Sequence, residues 1–425
     1  MKILVLGSGA KDHAITWLFS KSRRISGLYI APGNAGTATL GTNLSDIDLS
    51  NPESVAEACR KYDISYVFAG TETPIAAHVP DHLRSLGIAT FGASSSALAL
   101  ENDRSFARAF SDSYDIPTSK YSSFSSTNTF RRYLEANPGM RMVIKKNEIA
   151  PSRVMLDSAD PQQLMEFAES LLEQGDIIVE EHLKGMSISL TVLMDERGYK
   201  ILPICSDYNK SGENDRGEAT GGMGSICPVP IVKNTLEKQI IDTIIEPTFT
   251  GLREENLMYR GVLIFSLILT DEGPKLVDYH VRFNDPATQA MAPLIQSDFV
   301  DVIMAIENQE LDSFNLEISD QSSVAVVVAS EGYPAKPVTG RVIEQLPNFL
   351  YNLSDSGASM LFYGAVDYCP RSSGALCTNG GRCFTAVSLG TNIIEANSRV
   401  YDLVEQVQFS GAWFRKDIGN KFFEE

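Results

Sequence analysis

The apolar positions of this chain fall into short runs closed by glycine, proline or polar turns. Lys2 to Leu6 is an apolar, β-branched run that ends at Gly7-Ser8-Gly9, and His13 to Ser20 reads as a helix. Leu28 to Ile30 and Ile64 to Phe68 repeat the strand pattern. Strands alternating with helices predict a parallel α/β sheet. A helix over Leu100 to Asp112 and a linker at Asp115-Ile116-Pro117-Thr118 close this first domain, 1–115.

A second region, 116–320, carries strands at Met142 to Lys145 and Ile177 to Glu181, separated by a helix over Pro161 to Glu173. Ile188 to Leu193 and Lys200 to Ile204 are further strands, followed by a loop, rich in glycine and charge, from Asp207 to Gly224. A helix over Leu236 to Gly251 leads into strands at Val262 to Thr270 and Lys275 to Tyr279. This order suggests an α+β domain with a deep cleft. The third region, 321–425, begins at the strand Val324 to Ala329 and ends in a helix over Asn392 to Glu405 and a tail with Arg415-Lys416-Asp417-Ile418-Gly419.

A length of 425 residues fits about three domains. Against 54 acidic residues stand 36 basic ones, a net charge of −18. Such a surface repels nucleic-acid backbones and anionic membranes, yet leaves room for a local basic pocket. The six cysteines form no CxxC and only five histidines accompany them, which argues against a zinc framework. Cys369, Cys377 and Cys383 are the one candidate cluster; buried free thiols in a reducing cytosol are the expectation. The apolar run at the N-terminus is too short for a signal peptide, and no stretch approaches the roughly 20 apolar residues of a membrane span.

Several motifs carry possible chemistry. Gly7 and Gly9 sit between a strand and a helix, where backbone amides can approach a phosphate. Asp12 holds the place of the third glycine of GxGxxG, so a single phosphate suits this turn better than a dinucleotide. Ala31-Pro32-Gly33-Asn34-Ala35-Gly36-Thr37 and Gly70-Thr71-Glu72-Thr73-Pro74 are two more turns at strand ends, where open α/β sheets bind ligands. Glu72 could accept hydrogen bonds from sugar hydroxyls. Three glycines within Thr220-Gly221-Gly222-Met223-Gly224 suit a backbone that wraps a ligand. Asp278 and His280 alternate on one strand face, with Arg282 on the same side to clamp a carboxylate.

Taken in order, GSGAKDHA, APGNAGT, GTETP, VIK, VEEHLKG, ATGGMG, YRGVL, VRFNDPATQ, EGYP, GGR and RKDIG resemble the glycinamide ribonucleotide synthetase family (phosphoribosylamine–glycine ligases) of the ATP-grasp superfamily, along essentially the whole chain. The resemblance implies an ATP-grasp fold with an N-terminal parallel-sheet domain and a small C-terminal domain. It implies a ligase in which ATP phosphorylates the glycine carboxylate and the amine of 5-phosphoribosylamine attacks the acyl phosphate. ATP and Mg2+, with Mn2+ as an alternative, are the implied cofactors. Small molecules (an amino acid and a phosphorylated sugar amine) are the implied partners, for a cytoplasmic monomer or homodimer.

By that resemblance Lys145, Arg153, Glu180 and Glu181 line the nucleotide side and Asp278 and His280 hold the metal. Arg282, Asp285 and Asp207 are the catalytic candidates. Thr220, Gly221, Gly222, Met223 and Gly224 meet the amino acid and its acyl phosphate. Gly9, Lys11, His13, Gly33, Asn34 and Glu72 meet the sugar amine. Departures stand beside these matches. The family's Arg-Glu pair is Lys11-Asp12. Its ATP loop GLAAGKG has lost every glycine, its lysine being Arg153. An acid expected at the ribose is missing from Gly185-Met186-Ser187, and the metal pair, normally Glu and Asn, is Asp278 and His280. These changes leave room for another amino acid or amine, and for a catalytically weakened homologue that binds a nucleotide or metabolite or acts in regulation.

Overall fold

The computed structural model describes residues 1–147, 155–232, 234–257, 259–354, 357–370 and 374–423. Five strands, β1 (Lys2–Gly7), β2 (Gly27–Pro32), β3 (Thr42–Asn43), β4 (Tyr66–Phe68) and β5 (Ala89–Phe91), form an all-parallel sheet in the order β3-β2-β1-β4-β5. Ile3, Leu4, Val5 and Leu6 are all buried, as expected of a strand covered on both faces. The chain order reverses between β1 and β4, so a crevice opens beyond the carboxyl ends of these two strands. Gly7 to Gly9 and Gly70 to Glu72 lie there. Gly7 has φ +149°, and a Cβ would sit 2.2 Å from the Asp12 carboxyl, so only glycine fits this turn.

The helix expected over Leu100 to Asp112 is two helices, Ala99–Asn102 and Arg104–Ser113. Asp103 divides them because its carboxylate caps the second by accepting from the Phe106 amide. A four-stranded antiparallel sheet follows, made of β6 (Tyr121–Phe124), β7 (Met142–Lys146), β8 (Met155–Ser158) and β9 (Ile177–Glu181). The helices Thr127–Ala136 and Pro161–Leu172 pack on it through Phe130, Leu164 and Ala168. A second sheet joins β10 (Met186–Met194), β11 (Tyr199–Ile201), β14 (Gly261–Thr270) and β15 (Gly273–His280) in the order β11-β10-β14-β15.

The glycine-rich stretch expected as a loop is instead a pair of antiparallel strands, β12 (Ser206–Gly212) and β13 (Arg216–Cys227). β13 also pairs with β16 (Ser322–Ala329), which continues through β22 (Arg382–Gly390) and β19 (Gly357–Tyr363) to β18 (Tyr351–Ser354). Backbone hydrogen bonds therefore join the middle of the chain to its C-terminal third. The glycines of β13 serve close approach rather than looping. A Cβ on Gly222 would lie 2.6 Å from the Asp285 carbonyl oxygen, and one on Gly224 would lie 2.7 Å from Ile418.

The cysteines differ from the all-thiol expectation. Cys369 and Cys377 form a disulfide across the hairpin of β20 (Val366–Tyr368) and β21 (Leu376–Thr378). Cys59, Cys205, Cys227 and Cys383 are free and buried, as expected. Among the described residues no helix is long and apolar enough to cross a membrane.

Candidate functional site

The crevice beyond β1 and β4 opens into a cleft of about 660 Å3, walled by β10, β14, the end of β15 and the start of the β13 glycines. A second chamber of about 580 Å3 adjoins it and shares Gly9, Asp285, Tyr333 and Arg382 as a partition.

On the side of the parallel sheet, Lys11 reaches from the first helical turn to the Gly70 and Phe283 carbonyl oxygens, at 3.3 and 3.1 Å. Burial lowers its pKa, partly offset by Asp12. The Asp12 carboxylate accepts from the Gly9 amide at 2.9 Å. Burial pushes the Asp12 carboxyl up to about 6, although Lys11 and the Gly9 amide pull it back. A carboxyl raised in the fold contributes full stability only below its unfolded value, and loses it as the pH rises through about 6. Asp12→Asn keeps the acceptor and removes the charge. It is expected to exceed the parent by about 2 kcal/mol at pH 8 and to match it at pH 4, read from denaturant midpoints.

His13 does not reach the cleft. Its ring is fully buried, accepts from the Tyr363 amide, pairs with the Tyr351 hydroxyl at 2.6 Å, and is held neutral with a pKa lowered by burial to about 3. Asn34 spends its side chain inside its own turn and on the Ser8 and Tyr363 carbonyls; with Gly33 it lines the second chamber. Glu72 stands at the cleft mouth, 3.6 Å from the Arg282 guanidinium.

Arg282 and His280 converge on Glu101, a residue the sequence did not single out. Glu101 accepts from the Val281 amide at 2.7 Å, and the same carboxylate lies 3.2 Å from both His280 Nδ1 and Arg282 Nε. Burial would raise the Glu101 carboxyl; the Arg282 and His280 charges outweigh it and bring it down to about 2.

The nucleotide candidates form a buried ion network. Lys145 Nζ lies 3.0 Å from Glu180 and 3.2 Å from Asp278. Arg108 donates to Glu180 at 2.5 Å, and Arg104 stands 3.6 Å from Asp278. Burial works against the Asp278 anion, but Lys145, Arg104 and Arg108 hold its carboxyl well below the usual carboxylate range. Strand alternation turns Glu181 the other way, to the Lys120 amide at 3.0 Å. Arg153 lies outside the described residues.

Opposite this network, Asp207 accepts from the Ser189 hydroxyl at 2.7 Å. Thr220 and Gly221 line the cleft; Met223 is buried against Val327 and Ala329, and Gly224 packs on Ile418. Gly222 presses on Asp285 from behind. Asp285 orients Arg382 at 3.0 Å, and Arg382 in turn donates to the Gly221 carbonyl while Tyr333 accepts from the Gly221 amide. The sequence reading missed Glu101, Arg104, Arg108, Tyr333 and Arg382 as functional candidates. GGR and EGYP flagged the last two only as pieces of a motif order. Glu101, Arg104 and Arg108 carry no local signal, because their partners lie far along the chain.

The cleft thus brings cations from four parts of the chain (Lys11, Arg104, Arg282 and Arg382) around one space, with the Glu101 carboxylate held ionised beside Arg282. Such a site suits substrates that carry phosphate or carboxylate groups. Family models described as the N, ATP-grasp (A) and C domains of phosphoribosylglycinamide synthetase match residues 1–101, 102–288 and 323–421. A phosphoribosylamine–glycine ligase of Neisseria meningitidis serogroup A is 32% identical over 431 residues, covering 99% of each chain. The crystal structure of a phosphoribosylamine–glycine ligase from Thermotoga maritima superimposes with a TM-score of 0.83 at 28% identity, covering 99% of this chain and 100% of that one. A biotin carboxylase from Campylobacter jejuni shares the fold at a TM-score of 0.75 and 12% identity, covering 100% of this chain and 95% of that one. The expected ATP-grasp architecture is therefore the one observed.

Proposed function

Because the chain belongs to the phosphoribosylglycinamide synthetase family, we propose that it joins glycine to 5-phosphoribosylamine as ATP is converted to ADP and phosphate. It is an ATP-dependent C–N ligase of purine biosynthesis that uses ATP with Mg2+. A carboxylate is a poor electrophile, so phosphorylation supplies the leaving group. The amine then attacks the acyl carbon, phosphate departs, and the amide nitrogen loses its extra proton. The observation that carries this reading is the single cleft shared by the phosphate-suited turn at Gly7 to Gly9, by Arg282 and by the β15 end.

In this reading the γ-phosphoryl group travels past Arg104 and Arg282, whose charges are fixed in place by Asp278 and Glu101. Thr220 and Gly221 form the wall of the amino-acid side, held by Tyr333, Arg382 and the Asn209 carbonyl, and Asp207 and Ser189 line the same cleft. Asp285 acts by orienting Arg382 toward the same strand. The helix that starts at Ala10 points its amides at the sugar phosphate, with Gly9 and Lys11 beside it. Magnesium usually takes one or two carboxylates and completes its shell with nucleotide phosphates and water. Asp278 fits the carboxylate role, and among the described residues no group of three or more His, Cys, Asp or Glu could hold a metal without the nucleotide. When bound, the ion supplies charge neutralisation on the phosphates. The reading includes a cytoplasmic monomer or homodimer without nucleic-acid or membrane partners.

Two observations favour a second reading, a nucleotide-binding relative with little turnover. Lys145 and Asp278 are already committed to one another, and Ser187 offers the ribose no acid. ADP release with Mg-ATP and fresh phosphoribosylamine separates the two. Turnover with glycine supports the ligase, and turnover with another amino acid changes the substrate. No ADP under any of these, with nucleotide still bound, leaves the second reading. Bound Mg-ATP is expected to stabilise the chain by about 2.7 kcal/mol at a hundredfold excess over Kd.

A further inference from the structure

The Cys369–Cys377 disulfide sits in different surroundings from the free thiols. Cys59, Cys205, Cys227 and Cys383 are buried, and burial pushes the Cys59 and Cys383 thiols up to about 11. Cys369 and Cys377 are only half-buried, and both line an open pocket of about 700 Å3 beside Val342, Tyr368 and Pro370. A thiol in solution can reach the bond there, and exposed disulfides are the labile ones.

The hairpin that the bond closes has little else to hold it. Among the described residues β20 pairs only with β21, as Val366 with Thr378, Asp367 with Cys377 and Tyr368 with Leu376. Such a two-stranded hairpin is marginally stable in water. β21 is anchored, because Thr378 accepts from the Gly340 amide at 2.7 Å and donates to the Arg341 carbonyl at 2.9 Å. The disulfide thus ties β20 to an anchored strand. Asp367 of β20 and Asn379, just past β21, line both the outer pocket and the second chamber of the site. The Asn379 amide donates to the Ala365 carbonyl at 3.0 Å, and the Ala365 amide to the carbonyl of Arg382, the partition residue, at 2.8 Å. Gly9, Ala10 and Asn34 line the same chamber.

We propose that Cys369–Cys377 is a redox modification site whose reduction weakens binding on the sugar-phosphate side and leaves the nucleotide side unchanged. The proposal rests on the ligase reading above, which puts the sugar phosphate at Gly9 and the helix that starts at Ala10. The reductant is a thiol of the glutathione class. Its thiolate attacks one protein sulfur, the S–S bond breaks and a mixed disulfide forms. A second thiolate attacks the reductant's sulfur and releases the other cysteine. Two electrons have then passed to the protein, two protons complete the Cys369 and Cys377 thiols, and the reductant leaves as its own disulfide. Without the cross-link Asp367 is no longer held at the chamber wall, and a ligand must order that wall as it binds.

The test equilibrates the full chain in buffers of mostly reduced and mostly oxidised glutathione, without denaturant. Alkylation and mass spectrometry locate the thiols. Calorimetry reads Kd for glycinamide ribonucleotide, the stable product of the proposed reaction, and for β,γ-methylene-ATP with Mg2+. The expected result is reversible alkylation of Cys369 and Cys377 alone. With it, Kd for the ribonucleotide should rise about fivefold on reduction, the cost of ordering one or two side chains again, while Kd for the nucleotide stays the same. The double variant Cys369→Ser/Cys377→Ser should bind like the reduced chain in both buffers. A bond that stays closed in reduced glutathione, or a ribonucleotide Kd that does not follow its reduction, would overturn the proposal and leave the ligase reading standing. So would an equal shift for both ligands, which would mean a general loosening. No ribonucleotide binding in either state would remove the ligase reading, and the proposal with it. The unaltered chain decides between these outcomes even if the variant does not fold.

Discussion

Arg282→Met is expected to lower ADP formation by about 10²–10³-fold, the usual loss on removing one fixed donor from a site of developing charge. The guanidinium lines the cleft between the sugar-amine turn and the β15 end, and Glu101 fixes its position. Arg282→Lys should recover part of the rate, since it keeps the charge but loses the planar fork. The same substitution exposes a second effect. In the parent, Glu101 is held at about 2, so its contribution to stability is full above an unfolded value near 4.5 and fades as the pH falls toward 2. Without Arg282 the largest favourable charge on Glu101 is gone. Arg282→Met should therefore unfold at lower denaturant than the parent at pH 7, and the gap should narrow by pH 3 and close toward pH 2. Unchanged turnover at saturating substrates would take Arg282 out of the reacting site. An equal gap at both pH values would mean that Glu101 is not the group it holds.

How far the sequence foretold this site depends on the kind of signal involved. β1 and β9 were legible because their apolar runs are buried and end at polar turns; Ile177–Glu181 was bounded correctly at both ends. The resemblance rested on the order of motifs, and fewer than half of the residues it named (Gly9, Lys11, Glu72, Asp207, Thr220, Gly221, His280, Arg282 and Asp285) line the one cleft. His13 was misleading, since a histidine beside a glycine turn looks the same whether it faces a ligand or the aromatic cluster of Tyr351, Phe362 and Tyr363. The glycines of β13 were read as a loop because close approach of a backbone leaves no periodicity. Their neighbours, Asp285 and Ile418, are distant in sequence. The same distance hid Glu101, whose partners lie 179 and 180 positions away. The Cys369–Cys377 disulfide depends on a short hairpin that spacing alone did not reveal.

Glu180→Gln is expected to be the most destabilising single change in the nucleotide half of the cleft, costing about 3 kcal/mol or more, the usual price of leaving buried charge without its partner. The Glu180, Arg108 and Lys145 side chains are each only 4% exposed, so water cannot take over the lost role. Arg108 would keep the Leu276 and Val277 carbonyls, and Lys145 would keep Asp278, which holds the cost near the lower end of the range. Glu180 joins β9 to the helix Arg104–Ser113 and, through Lys145, to β15. Loosening it frees the small sheet from the larger one, so Mg-ATP affinity should fall together with the urea midpoint. Arg108→Met alone should also destabilise, but the double variant Glu180→Gln/Arg108→Met should lose less than the sum of the two, by about 1–3 kcal/mol, because one buried cation has gone with its anion. Strict additivity in that cycle would mean that the two side chains do not depend on each other, and the network would then be three separate contacts rather than one latch between the sheets.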